Sequence, residues 1–140
     1  MTVRVAAGVM QNGNGEVLIA RRPSGSHMEG AWEFPGGKIE QAETPLQGLV
    51  RELQEELAVT VRCARYLACY QHDYPERSVR LHFWRILEWQ GEPVGAEGQE
   101  LVWVLPDALL ETGLLPADKP VVDLLLQQVP VINLQGLRAS

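Results

Sequence analysis

The chain has 140 residues, of which 46% are apolar and 21% charged, with a formal net charge of −6. That suits one domain, residues 1–140, with one core, and the acidic balance argues against a sequence-independent grip on a nucleic acid polymer, which needs a basic footprint. No apolar run approaches the ~18 residues of a membrane span, and Gln11–Gly15 interrupts the N-terminal run before it resembles a signal peptide, so a cytoplasmic protein is expected.

Val3, Val5, Ala7 and Val9 alternate as on a strand with one buried face. The Asn-Gly-Asn-Gly stretch at 12–15 is a hairpin turn leading into a second strand at 16–22. It is not a phosphate loop, because no Lys-Ser/Thr follows and no helix opens from it. Residues 22–37 read as a loop with a short strand at Trp32–Phe34. Thr44 then caps a helix that runs to residue 57, with Pro45 at its first position and Gln47 completing a capping box. Leu46, Leu49, Val50, Leu53 and Leu57 form its apolar stripe. Residues 58–74 supply one or two strands, 78–89 a central strand, 90–99 a loop and 100–105 a further strand. A short helix ends at Gly113, 114–120 is a turn, and 121–129 is the last helix. The order predicts an α/β (α+β) fold, a mixed sheet with helices on its faces. Cys63 and Cys69 have no ligand spacing and are expected as small buried thiols. His27, His72 and His82 are scattered, with no metal-binding pair at helical spacing. The four tryptophans are expected on strands or in the core, and one of them, or Phe34 or Phe83, would stack on a base.

Residues 51–57 pack Glu52, Glu55 and Glu56 beside Arg51. At about 100° per residue, Glu52 and Glu56 share a helix face while Glu55 lies beside it, on the flank away from the leucines. Like charges at this spacing weaken a helix by a few tenths of a kcal/mol per pair. A divalent cation would relieve that repulsion, since Mg²⁺ and Mn²⁺ take carboxylate oxygens and bridge them to phosphates. Gly36 and Gly37 allow backbone to come close to a metal or phosphate, and Glu43 can reach back towards Arg51. A solvated acidic helix face with Arg51 as its partner is the plainer alternative.

Gly37, five residues, Glu43, seven residues, then Arg51-Glu52-Leu53-Gln54-Glu55-Glu56-Leu57-Ala58-Val59 resembles the Nudix box (37–59), with Ala58 where the pattern has glycine. FPGGKIE, SHMEGAWEF, RLHFWRI, GEPVGAEGQ and LPADKP resemble the MutT-like branch, so the resemblance spans roughly residues 3–126. It implies an α/β/α sandwich and a Mg²⁺-dependent hydrolase, Mn²⁺ substituting. Such an enzyme cuts a nucleoside triphosphate, notably 8-oxo-dGTP, to the monophosphate and pyrophosphate and so cleans the nucleotide pool. Glu52, Glu55, Glu56, Glu97 and the Gly36 carbonyl would hold the metal. Glu52 or Glu97 would take the proton of the attacking water, Arg51 would orient the acidic set through Glu43, and Lys38 would touch a phosphate oxygen. Arg22, Asp118 and an aromatic such as Phe34 would meet the base. The branch has Asn where Asp118 stands, and LVWVLPDAL with PADKP also resembles a branch acting on CTP and modified dCTP, so a pyrimidine substrate is the alternative. A nucleotide-binding module without catalysis is a second alternative, although such modules usually lose box carboxylates and none is lost here. The resemblance also suggests a monomer.

Overall fold

The computed structural model describes residues 2–127. β1 (Thr2–Met10) and β2 (Val17–Arg21) flank the expected turn, where the Asn12 side chain accepts the N–H groups of Asn14 and Glu16. β3 is Trp32–Glu33, and β4 (Gly36–Lys38) lies where a loop was expected. α1 spans Pro45–Leu57, β5 is one long strand Thr60–Tyr74, β6 is Arg77–Gln90 and β7 is Leu101–Val104. The expected short helix is a 3₁₀ helix at Pro106–Glu111, and the expected turn contains another at Pro116–Asp118. α2 starts at Lys119, earlier than expected, and is described to Gln127; residues 128 and 129 of the expected helix lie outside the described residues.

Two sheets form. The larger is mixed, in the order β4-β1-β6-β5, with β1 parallel to β6 and the other pairs antiparallel; the smaller is antiparallel, β3-β2-β7. Residues 78–89 are central as expected, since β6 lies between β1 and β5. β1 is buried on both faces rather than one. Ala7 and Val9 face a cluster with Phe34, Phe83 and the α2 residues Val121, Val122 and Leu125. Ala6 and Met10 face a second cluster with Leu49, Leu53 and Leu57 of α1. Helices therefore cover both faces of the mixed sheet, and one of them carries the acidic flank.

The capping box holds the start of α1: the Gln47 N–H donates to Thr44 Oγ1 at 3.2 Å and the Thr44 N–H to Gln47 Oε1 at 2.9 Å. The buried stripe is narrower than the sequence suggests. Leu46 stays 46% exposed, and the first turn instead leans on Ile39 and Glu43 through Gly48. The helix ends as Ala58 turns into the left-handed region (φ 59°, ψ 36°), its N–H donating to the Gln54 carbonyl at 3.1 Å. The two cysteines are exposed rather than buried, because β5 is an edge strand and its pairing slips around Val61–Ala64 and Tyr66–Ala68.

Candidate active site

The acidic flank of α1 faces the Gly36–Gly37 backbone of β4. β4 is held on the edge of β1 with Ala7 opposite Gly36 and Val5 opposite Lys38, and a Cβ at Gly36 would collide with the Ala6 carbonyl. A Cβ at Gly37 would collide with the Glu52 carboxylate. Both glycines are there for close approach, one of strand to strand and the other of strand to carboxylate.

Arg51 organises the cluster. Its Nε and Nη2 donate to the two oxygens of Glu43 at 2.6 and 2.9 Å, a fork matched to a carboxylate. Nη2 also reaches the Lys38 carbonyl at 2.9 Å, and Nη1 donates to Glu52 at 3.0 Å and Glu55 at 3.1 Å. This single guanidinium thus ties β4, the loop before α1 and the helix flank together. The two bonds lower the Glu43 carboxyl to about 2, with help from the Glu40 N–H, and the carboxylates raise the guanidinium in turn.

Glu56 lies deeper and has no such partner. The Gly36 N–H donates to its Oε1 at 3.4 Å, long for a bond to a charged carboxylate. Burial, then the charges of Glu52, Glu33 and Glu97, push it up to about 9. Burial also raises Glu52, against the pull of Arg51. A buried, mutually repelling carboxylate pair without a cation is the donor set that a hard divalent ion satisfies, so these residues fit the expected metal. As they stand, no three His, Cys, Asp or Glu side chains among the described residues form a closed ligand cluster. Glu97 is exposed, and its loop is docked on the C-terminal end of α1. The N–H groups of Ala96 and Val94 donate to the Glu56 and Leu57 carbonyls, each at 3.0 Å, and Gln99 Nε2 to the Glu56 carbonyl at 2.9 Å. The loop thereby caps orphan helix carbonyls.

A cleft opens beside this flank, lined by Gly36, Gly37, Lys38, Arg22, Glu33 and Asp118 among others. Arg22 pairs with Glu33 at 3.0 and 3.2 Å and donates from Nε to the His27 carbonyl at 2.6 Å. Phe34 is 2% exposed, its ring packed edge-on against Phe83 at 5.8 Å, so it forms the cleft floor. Asp118 is buried, and the Phe34 N–H donates to its Oδ2 at 2.9 Å. All the residues singled out in the sequence therefore gather on the helix flank, on the loop docked to it or around the cleft. Glu33 was not among them. Its two-residue strand is too short to show periodicity, and only its place between Trp32 and Phe34, beside the glycine pair, hinted at it. Gln99 was missed because its role is carried by backbone carbonyls.

A loop-and-helix cluster of carboxylates against a glycine strand, opening on a cleft, defines a hydrolase of phosphoric anhydrides that works with a divalent metal. The sequence profile of the NUDIX domain matches residues 6–124, and the chain belongs to that family. It is 41% identical over 120 residues to the 8-oxo-dGTP diphosphatase of Escherichia coli (strain K12), covering 86% of this chain and 93% of that protein. It is 38% identical over 121 residues to the CTP pyrophosphohydrolase of the same strain, covering 86% and 89%. Among solved structures, the solution structure of the E. coli ORF135 protein matches with a TM-score of 0.79 at 36% identity, covering 90% of this chain and 89% of that one. No helix among the described residues is long and apolar enough to cross a membrane.

Proposed function

We propose that the protein is a Mg²⁺-dependent nucleoside triphosphate pyrophosphohydrolase, with Mn²⁺ as a substitute. It converts an oxidised or modified triphosphate, 8-oxo-dGTP foremost, to the monophosphate and pyrophosphate, and it acts in the cytoplasm as a monomer of one domain. The observation that carries this reading is the buried Glu52–Glu56 pair pressed against Gly36 and Gly37 at the mouth of a cleft. Glu52, Glu55, Glu56, Glu97 and the Gly36 carbonyl would hold the metal. When bound, the ion supplies positive charge for the phosphate oxygens and acidity to a coordinated water. Arg51 keeps Glu52 and Glu55 oriented through the Glu43 fork, and Lys38, lining the cleft beside Gly37, meets a phosphate oxygen. Glu52 or Glu97 accepts the water proton; Glu52 sits against the glycine strand, whereas Glu97 comes from the docked loop. Arg22, Phe34 and Asp118 bound the end of the cleft where the base sits.

The pyrimidine reading, CTP or 5-methyl-dCTP as substrate, is favoured by one observation, the carboxyl of Asp118 at the cleft end. Pyrophosphate release with Mg²⁺, compared across 8-oxo-dGTP, dGTP, CTP and 5-methyl-dCTP, decides between the two. Glu56→Gln is expected to lower kcat at least ~100-fold with all of them, the scale seen when an electrostatic catalytic group is removed. Turnover that survives EDTA, or a Glu56→Gln variant with wild-type kcat, overturns the proposal.

A further inference from the structure

Asp118 is the buried charged residue of the described core, at 3% exposure. It stands at the end of a cleft whose wall is largely apolar, among Val79, Leu81, Leu115 and Ala117. One oxygen accepts the Phe34 N–H at 2.9 Å. No Lys or Arg of the described residues forms an ion pair with it; the Arg22 guanidinium is committed to Glu33. A carboxylate so placed has lost its water without gaining a counter-ion, and such groups neutralise instead. Its surroundings agree: burial raises the carboxyl to about 8, and the Glu33 charge adds to it against the Phe34 bond and Arg22.

Building on the function proposed above, we infer that Asp118 works as an uncharged carboxylic acid. One of its oxygens is held by the Phe34 N–H, and the other presents its O–H to a carbonyl of the base. In that state the side chain donates and accepts as an asparagine does, and it fits the O6 carbonyl of an 8-oxoguanine. Once ionised it can only accept, and it then fits the amino group of a cytosine. The base preference of this cleft therefore turns over with pH, from keto purine at acid to neutral pH towards amino pyrimidine in alkali.

The other titratable or charged groups facing Asp118 do not reproduce this change. Glu33 and Arg22 neutralise one another as a pair. Burial pushes the phenols of Tyr70 and Tyr74 up, so both stay neutral; their hydroxyls bond the Ala117 carbonyl and N–H respectively. Arg77 stays cationic throughout. His27 lines the same cleft and lies 3.8 Å from Glu76, so it needs a control.

The test is binding of 8-oxo-dGMP and 5-methyl-dCMP to the full chain with Mg²⁺, by calorimetry, at pH 6.5 and 9. Turnover of the two triphosphates is measured in parallel. The affinity ratio is expected to favour 8-oxo-dGMP at pH 6.5 and to fall at least tenfold by pH 9. In Asp118→Asn the fall should vanish, apart from what the nucleotides' own ionisation contributes, whereas in His27→Gln it should persist. A wild-type ratio that follows the Asp118→Asn ratio at both pH values overturns the inference, and so does an Asp118→Asn chain that prefers 5-methyl-dCMP at pH 6.5. Should the variant not fold, a wild-type ratio that stays constant with pH overturns it alone. Expected binding without turnover overturns the pyrophosphohydrolase reading and leaves this inference standing.

Discussion

At the scale of single residues, the site depends on how one guanidinium is spent. Arg51 gives Glu43 a two-pronged bond and still reaches Glu52, Glu55 and the Lys38 carbonyl. A lysine in its place is a point charge with no fork and satisfies at most part of this set. Arg51→Lys is therefore expected to weaken metal binding and kcat/KM by ~10–100-fold, the range typical when a group that orients metal ligands is lost. Titration of Mn²⁺ binding by electron paramagnetic resonance checks the first effect apart from catalysis; unchanged affinity would show that Glu52 and Glu55 orient themselves. Much of this cluster was legible in the sequence, because helical spacing alone puts Glu52 and Glu56 on one face and Glu43 within reach of Arg51. The buried depth of Glu56 was not. It depends on β4 closing over the helix flank, and a three-residue glycine-rich strand carries no hydrophobic period.

At the scale of elements, the end of α1 joins stability to the site. Ala58 adopts a left-handed conformation that costs a residue with a Cβ roughly 1 kcal/mol. The αL cap is nonetheless needed, because the Val94–Gln99 loop docks on the carbonyls just before it. Ala58→Gly relieves the strain but gains chain entropy in the unfolded state, so a net stabilisation of about 0.5 kcal/mol is expected from urea unfolding at constant m-value. Destabilisation would mean that the Ala58 methyl packs better than its backbone suffers. The start of the helix should respond in the opposite sense: Thr44→Ala removes an oxygen that accepts the Gln47 N–H and is expected to cost about 1 kcal/mol. Both ends were readable from the sequence, since caps are local chemistry. The 3₁₀ form of Pro106–Glu111 and Pro116–Asp118 was not, because prolines open helical turns of either kind and packing decides which one persists. Nor was the division into two sheets, since strand order and pairing depend on contacts between residues far apart in the chain.

At the scale of the whole molecule, the fold maintains a set of acids that it does not stabilise. Glu56 sits at about 9 and Asp118 at about 8, with Glu33 and Glu52 also raised, all chiefly by burial. In each case the folded chain binds a proton that the unfolded chain has released. Their contribution is fully present below the ordinary carboxylate range and is lost as pH rises towards 8–9, by up to about 1.4 kcal/mol per pH unit for each group in that window. Glu43 and Asp73 act in the opposite sense: both are lowered, and their contribution is lost only as pH falls below the ordinary carboxylate range. Without metal, stability should therefore peak in weak acid and decline through neutrality. A divalent ion at the Glu52–Glu56 pair replaces the protons there and binds better as they leave. The rise in melting temperature with saturating Mg²⁺ is consequently expected to be larger at pH 8.5 than at pH 6. At a hundredfold excess over Kd the stabilisation is about 2.7 kcal/mol, which corresponds to several degrees for a chain of this length. Calorimetric scans with and without Mg²⁺ at both pH values check this. Glu56→Gln, which keeps the shape of the neutral acid, should flatten the metal-free decline and remove most of the Mg²⁺ response. An equal Mg²⁺ shift at both pH values would mean that the ion binds elsewhere, and that the burial of Glu56 serves the core rather than the site.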